Sequence, residues 1–135
     1  MKKRYIFFDI DGTLKAGGYH NEYIPESTKL AISKLREAGH FLCIATGRSH
    51  AMAKKFMDEL DFKNMVSDGG FGITINREVL NIKPLPKQSV VALVDECEKL
   101  GFAWALQLDD SDTRVAPDRR FEPYKCPLCD LLKFP

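Results

Sequence analysis

The sequence predicts an α/β fold built around a parallel β-sheet, and three features of the chain support that prediction. Two apolar runs, 4–10 and 40–46, each stop at a polar turn, as buried strands do. Segments with helical apolar spacing follow both runs, and residues 64–70 predict a third, short strand. Because right-handed strand–helix–strand units give parallel sheets, we expect helices to cover the sheet on both faces.

The two helices of this region have recognisable ends. The first is predicted to begin near Pro25, since proline is tolerated in the first helical turn, and to stop before Gly39, a typical C-terminal cap. The second is predicted from about Ser49 to Leu60, with apolar side chains along one stripe. The polar turns after the first two strands should then lie together at the carboxyl edge of the sheet, where open α/β folds bind ligands.

The pattern of the chain changes after residue 70. Residues 71–83 alternate as a β-hairpin around the turn "NRE". The segment 83–87 carries two prolines and indicates a boundary or hinge. We therefore expect two parts, a core over 1–82 and a second part over 83–135.

The second part is predicted to contain one helix and one strand. The helix runs from about Gln88 to Leu100, with four residues expected to face inward: Val90, Val94, Cys97 and Leu100. The strand covers the apolar run 102–108. From about residue 116 onward the chain has several prolines and no sustained period, so we expect an irregular tail.

Charge and hydropathy exclude some partners. The 135 residues include 20 Lys and Arg against 19 Asp and Glu, which gives no electrostatic reason to expect nucleic acid or an acidic membrane surface. No apolar stretch reaches the roughly 18 residues of a membrane span. The first residues are too short and acidic for a signal peptide, so we expect a cytoplasmic protein.

The four cysteines fall into two pairs. Cys43 and Cys97 occupy apolar-periodic positions, where cysteine behaves as a small buried hydrophobe. Cys126 and Cys129 form "CPLC", which is half of a zinc-ribbon pattern or a redox pair. A structural zinc site needs four ligands and no second such motif follows, so we favour neither role for this pair.

The strongest chemical pattern is the pair Asp9 and Asp11 in "FFDIDGTL". Alternate residues of a strand point to the same face, so both carboxylates could project beyond the strand end. Two neighbouring carboxylates repel each other unless a cation lies between them, and Mg²⁺ suits such oxygen ligands. Gly12 permits a sharp turn and leaves its N–H open to an anion. The alternative is an ordinary solvated turn, for which Asp and Gly are common residues.

"FFDIDGTL" resembles motif I of the haloacid dehalogenase superfamily of phosphohydrolases, and "IATGR" resembles its motif II. The resemblance implies that Asp9 is the nucleophile and that Asp11 is the acid/base that protonates the leaving alcohol and later activates water. It also implies Mg²⁺ held by the Asp9 carboxylate and the Asp11 backbone carbonyl. Thr46 and the Gly47 backbone would bind the phosphoryl oxygens.

Two residues of the family pattern stay open at this point. Arg48 either contacts the substrate or merely closes the turn after the second strand. Asp68, in "SDGG", stands where the family usually has an asparagine, so its role is undefined.

The stretch "DIDGTL…IPESTKLAISKLREAGHFLCIATGRS" is similar to the Cof-type branch, whose α/β cap is inserted after the third core strand. The resemblance thus implies a Rossmann-like core, present in part over 1–82, and the start of a cap over 83–135. We interpret the three acids at 109, 110 and 112 as a cap turn rather than a metal loop, since no EF-hand spacing surrounds them. We expect no catalytic role for His20, His40 or His50.

Two late elements of the family have no counterpart in the sequence: a lysine that steadies the nucleophile, and an acidic "GDxxND"-like turn. Lys125 and Lys133 lie in the proline-rich tail, and no GD pair occurs. We therefore expect a truncated chain, representing the front part of a longer family member.

The function implied by the resemblance is Mg²⁺-dependent hydrolysis of phosphate monoesters of small metabolites, such as sugar phosphates, through an aspartyl-phosphate. We expect poor turnover by this chain. One alternative is a phosphate-binding or interaction fragment without catalysis. A receiver-type phosphoacceptor domain is disfavoured, because such domains lack a second acid two residues later followed by "GT".

Overall fold

The computed structural model of the protein describes residues 2–18, 21–111 and 113–120, together with the backbone of 131–133. The chain divides into two compact units, 1–83 and 84–135. Within the described ranges, no helix is long and apolar enough to cross a membrane.

The first unit is a five-stranded sheet with two helices. Its elements, in chain order, are β1 (Tyr5–Phe8), α1 (Glu26–Glu37), β2 (Phe41–Ala45), α2 (His50–Glu59), β3 (Met65–Ser67), β4 (Gly72–Ile75) and β5 (Glu78–Ile82). The strands lie in sequential order, with β1, β2 and β3 parallel and the β4–β5 hairpin antiparallel to them. The predicted α/β fold is therefore confirmed, as are the two helices.

The parallel register brings the ends of β1 and β2 together. Phe8 is paired with Ile44, so the turns that follow these strands leave the same edge of the sheet. Ser49 caps α2 by accepting a hydrogen bond from the Met52 N–H, as its position before the helix predicts. Cys43 is buried in β2, which confirms its predicted role as a small hydrophobe.

One contiguous apolar core is shared by both helices and a single face of the sheet. Its buried members are Ile10, Leu14, Ile24, Ile32, Leu42, Ile44, Ala53, Phe56, Met57, Leu60, Phe62 and Met65. Ile6 and Phe8 of β1 pack against this cluster, whereas Tyr5 and Phe7, which alternate with them, are 67% and 58% exposed.

The expectation of a sheet covered on both faces is therefore wrong at β1. The connections β1–α1–β2 and β2–α2–β3 step across the sheet in the same direction. Right-handed crossovers that step in one direction place their helices on one face, so α1 and α2 leave the other face of β1 open.

The predicted hairpin is confirmed, with a tighter loop than "NRE". Asn76 and Arg77 both have positive φ, +50° and +67°, as a two-residue turn of the I′ type requires. The Arg77 guanidinium pairs with Asp58 and Asp61 at 2.8 Å each, which ties the hairpin tip to the end of α2. These ion pairs offset part of the strain of a non-glycine residue in this conformation.

The second unit contains α3 (Lys87–Lys99), β6 (Arg114–Ala116) and β7 (Leu131–Lys133), with β6 and β7 parallel. The predicted helix is confirmed within one residue at each end. Of its inward positions, Val90, Val94 and Cys97 are partly buried, but Leu100 is 58% exposed.

The predicted strand over 102–108 is wrong. Only Leu106 pairs, through an isolated bridge with Val115. The Gln107 side chain donates to the carbonyls of Asp109 and Ser111, so the chain turns where an extended strand would continue. Cys126, Cys129 and Lys125 lie outside the described residues.

The close contact between the start of β4 and the end of β3 predicts the effect of Gly72→Ala. A Cβ at Gly72 would overlap Ser67 Oγ and come within 2.6 Å of Asp68 Oδ2. Ser67 is fully buried and hydrogen-bonded, so it cannot move aside freely. We expect a loss of about 1–3 kcal/mol of unfolding free energy, measured by urea denaturation. Gly18→Ala, whose Cβ has no contact closer than 3.6 Å, is the matched control and should change little.

Candidate active site

The turns that follow β1 and β2 meet through an ion pair between Asp11 and Arg48. The Arg48 Nε donates to Asp11 Oδ2 at 2.8 Å, and Nη2 donates to Oδ1 at 2.7 Å. This bidentate geometry is the strongest arrangement of a guanidinium on a carboxylate. The structure thus joins two residues that the sequence predicts separately, one from each turn.

The turn after β1 is fixed by its backbone. The Ile10 carbonyl accepts hydrogen bonds from the N–H groups of Thr13, Leu14 and Lys15. The side chains of Ile10 and Leu14 are buried in the core and so attach the turn to it. Gly12 has φ of +78°, a left-handed conformation that other residues adopt at a cost, and open space surrounds the position of a Cβ.

Thr46, at the end of β2, is held from two sides. Its N–H donates to the Val66 carbonyl of β3 at 3.0 Å, and its carbonyl accepts from the Gly69 N–H. Its hydroxyl oxygen accepts from the Arg48 N–H at 3.1 Å, which leaves the hydroxyl proton to donate elsewhere. Gly47, which lies between Thr46 and Arg48 in the chain, is exposed.

Asp68 joins the end of β3 to the start of α2. Its Oδ2 accepts from the His50 N–H at 3.2 Å and from the Ser67 hydroxyl at 2.7 Å. Its own N–H donates to the Arg48 carbonyl at 2.8 Å. Its φ of +55° is a conformation that Asp and Asn tolerate better than most residues. The residue in place of the family's asparagine therefore holds the turn that carries Arg48.

Sequence reasoning missed two charged residues of this site, Lys15 and Glu22. Lys15 is 7% exposed, and its Nζ lies 3.2 Å from Asp11 Oδ1 and 3.0 Å from Glu22 Oε2. Glu22 Oε2 also lies 3.6 Å from the Arg48 Nη2. Asp11, Lys15, Glu22 and Arg48 thus alternate in sign around a closed circuit, which we call the charge ring. Glu22 lies in an irregular loop, where no periodicity or motif identifies it.

The charge ring shifts the pKa values of its members. The Arg48 guanidinium, with Lys15, lowers the pKa of Asp11 from 3.8 to about 2. The Glu22 carboxylate raises the pKa of Lys15. The pKa of Glu22 is lowered first by Lys55, which donates to its Oε1, and then by Lys15. All of these groups are therefore charged at neutral pH.

Asp9 differs from Asp11 in its surroundings. Its side chain is exposed directly beyond the end of β1, and among the described residues no lysine or arginine pairs with it. Its carboxylate thus offers two exposed oxygens of the hard kind that Mg²⁺ prefers, whereas the Asp11 carboxylate is paired with Lys15 and Arg48. The part of the chain that the structure describes contains no group of three acids, histidines or cysteines able to hold a metal. The Asp9 carboxylate therefore fits the ligand role that the family resemblance implies, and the second ligand which that resemblance implies is the backbone carbonyl of Asp11 rather than its side chain.

The sequence also singles out three acids at 109, 110 and 112 and three histidines. Asp109 accepts a hydrogen bond from the Ser111 hydroxyl in a turn of the second unit. His40 accepts from the Arg4 N–H at 3.4 Å, and His50 is the buried first residue of α2. His20 and Asp112 lie outside the described residues.

The fold and the site define an α/β protein with an acidic turn and a partner arginine at the carboxyl edge of its parallel strands. The profile of the haloacid dehalogenase-like hydrolases matches residues 6–122. The chain belongs to this family. Both motifs that suggest it in the sequence lie within the matched residues.

Known proteins similar to the chain agree with this assignment. The "Putative phosphatase YkrA" of Bacillus subtilis (strain 168) is 33% identical over 99 residues, 73% of this chain and 37% of that protein. The crystal structure of a hypothetical protein from Geobacillus kaustophilus HTA426 is 29% identical, with a TM-score of 0.72 over 88% of this chain and 44% of that one. A phosphatase of the superfamily from Bacteroides thetaiotaomicron shares the fold at 19% identity, with a TM-score of 0.76 over 98% of this chain and 50% of that one.

The chain thus spans about half the length, or less, of the relatives that it matches.

The Asp11–Arg48 pair predicts a pH effect that Arg48→Met would reveal. A pKa lowered in the folded state adds stability that is complete above the ordinary value of 3.8 and is lost as pH falls toward 2. Without the guanidinium, we expect the pKa of Asp11 to rise by about one unit, since Lys15 still contacts it. Carboxyl NMR titration measures this directly. Asp61, whose pKa of about 2 arises from Lys63 and Arg77, is the internal control; a parallel shift there would contradict the assignment.

Proposed function

We propose that the chain carries the front part of a phosphate monoester hydrolase that depends on Mg²⁺ and acts through an aspartyl-phosphate. The observation that carries this proposal is the Asp11–Arg48 contact beside Thr46, at the carboxyl edge of the parallel strands. It brings together a carboxylate, a guanidinium and a hydroxyl, which are groups that can bind a phosphoryl group and transfer its protons. Family membership supports the same reaction class.

The residues take the following roles in the proposed reaction. An oxygen of Asp9 attacks phosphorus, the P–O ester bond breaks, and the leaving alkoxide takes a proton from Asp11. Asp11 then accepts a proton from water, the water oxygen attacks the aspartyl-phosphate, and inorganic phosphate leaves Asp9 free. Mg²⁺, held by Asp9 and the Asp11 carbonyl, would supply positive charge against the phosphoryl oxygens.

The remaining candidate residues bind the phosphoryl group. The Thr46 hydroxyl and the N–H groups of Gly12 and Gly47 are donors to its oxygens. Arg48 reaches the same place, but in the structure it is engaged with Asp11. The two Arg48 N–H groups that donate to Asp11 also favour the ionised form of that carboxylate, so the acid role that we propose for Asp11 requires Arg48 to turn from Asp11 to the phosphoryl group.

The substrates that we propose are small phosphorylated metabolites, sugar phosphates among them, and the setting is the cytoplasm. Both extend the family resemblance of the motifs and the near-neutral charge of the chain. We also propose that the chain from residue 83 onward is the start of a cap domain, a suggestion supported by the helix that follows the two prolines at 84 and 86.

A second candidate function is phosphate binding without catalysis. One observation favours it: the part of the chain that the structure describes contains no group of three acids, histidines or cysteines able to hold a metal. A fragment of this kind would bind phosphate at the turns after β1 and β2 and would leave esters intact.

Turnover of p-nitrophenyl phosphate with Mg²⁺ tests the proposed chemistry. We expect the 135-residue chain to hydrolyse it slowly, because the described residues contain no group of three acids, histidines or cysteines able to hold a metal. Asp9→Asn should abolish the residual rate. Asp95→Asn, on the exposed surface of α3, is the matched control and should retain it.

Each outcome has a definite meaning. A kcat in the usual range of enzymes, about 1–1000 s⁻¹, would refute the expectation of poor turnover. Phosphate binding without any Asp9-dependent turnover would favour the non-catalytic alternative. Hydrolysis that persists in Asp9→Asn would remove Asp9 from the mechanism.

A further inference from the structure

We propose that Glu22 is a positioning residue that holds Lys15 and Arg48 for contact with the phosphoryl group. The proposal rests on the proposed phosphate site and extends it to two residues, Lys15 and Glu22, that no family motif in the sequence includes. Glu22 itself would touch neither the substrate nor the reacting atoms.

The Glu22 carboxylate contacts three cationic side chains. Its Oε2 lies 3.0 Å from the Lys15 Nζ and 3.6 Å from the Arg48 Nη2, while its Oε1 accepts from Lys55. The carboxylate is only 20% exposed. A carboxylate with so little access to water stays ionised because cations surround it. The same contacts restrict the positions of those cations.

The two carboxylates of the charge ring are not equivalent. Lys15 and Arg48 both contact the same oxygen of Asp11, at 3.2 and 2.7 Å, as well as Glu22 Oε2. Asp11 is 51% exposed, against 20% for Glu22. A phosphate from solvent would therefore replace Asp11, the more exposed carboxylate, as the partner of Lys15 and Arg48. Glu22 would keep its contacts with both cations and so hold them in position.

Backbone hydrogen bonds fix the residue that follows Glu22. The next residue, Tyr23, exchanges two backbone hydrogen bonds with Ala16, at 2.9 and 3.0 Å. Ile24 then buries its side chain in the core. The backbone beside Glu22 is thus tied to the backbone beside Lys15, which keeps the two residues close.

Two of the cations that contact Glu22, Arg48 and Lys55, also lie over the ring of Phe56. The Arg48 guanidinium carbon lies 5.0 Å from the centroid of Phe56, and the Lys55 Nζ lies 4.8 Å from it. Such contacts favour a cation above the ring without fixing its direction. The direction in which Arg48 points therefore depends on its carboxylate partners, Asp11 and Glu22.

The test compares Glu22→Gln, which removes the charge and keeps the shape, with Glu22→Asp, which keeps the charge on a shorter side chain. Glu59→Gln is the matched control, because Glu59 is half exposed and pairs with Lys29 at 3.3 Å on the surface of the unit. Affinity for inorganic phosphate is measured by calorimetry in Mg²⁺ buffer. In parallel, NMR follows the Arg48 Nε–H and Lys15 Nζ signals without phosphate, and thermal unfolding verifies that each variant is folded.

We expect Glu22→Gln to weaken phosphate binding about tenfold, since the cations lose a charged hydrogen-bond partner. Glu22→Asp should recover part of that loss, and Glu59→Gln should bind as the parent does. In Glu22→Gln the Arg48 and Lys15 signals should broaden or exchange faster with water. Where turnover is measurable, the effect should fall on KM and leave kcat nearly unchanged.

The proposal is overturned if Glu22→Gln, folded, keeps the parent's Arg48 and Lys15 signals, or if it binds phosphate as tightly as the parent. Failure of the parent chain to bind phosphate would count against the proposed function instead. In that case the NMR comparison of Glu22→Gln with Glu59→Gln alone decides whether Glu22 positions the two cations.

Discussion

The bidentate contact between Asp11 and Arg48 is the interaction on which the rest of the site depends. Asp9 and Asp11 are two acids at one strand end, and among the described residues only Asp11 has ion-pair partners. Arg48 and Lys15 lower the pKa of Asp11, so its carboxylate stays ionised. In the proposed reaction, the exposed Asp9 is the carboxylate that binds the metal and attacks phosphorus.

The precision of this contact comes from backbone hydrogen bonds. The turn after β1 is wound around the Ile10 carbonyl, and the turn after β2 is held by β3 and by Asp68. The parallel register of β1 and β2 then sets the distance between the two turns. Because each turn is held by its own hydrogen bonds, the displacement of Arg48 that we propose would leave both turns in place.

The sheet also shows where the packing is one-sided. Both helices of the first unit cover the face that bears Ile6 and Phe8, and β1 lies at the edge with Tyr5 and Phe7 exposed on its other face. Exposed aromatic side chains on an edge strand are unusual for an isolated domain, since such edges invite further pairing. The relatives that the chain matches are longer proteins, of which it spans about half the length or less.

Local pattern was enough to predict the three parallel strands, the two core helices, the hairpin and the turns that carry Asp9, Asp11 and Thr46. Each of these depends on neighbouring residues, such as the apolar run before "DIDG" or Ser49 before α2. The role of Arg48, the cap made by Asp68, and the participation of Lys15 and Glu22 could not be predicted in this way. They depend on charges that are distant in sequence and that meet only when β1 and β2 pair and the loop before α1 folds back. Side-chain electrostatics acts through distances in space, and neither periodicity nor motif spacing encodes them.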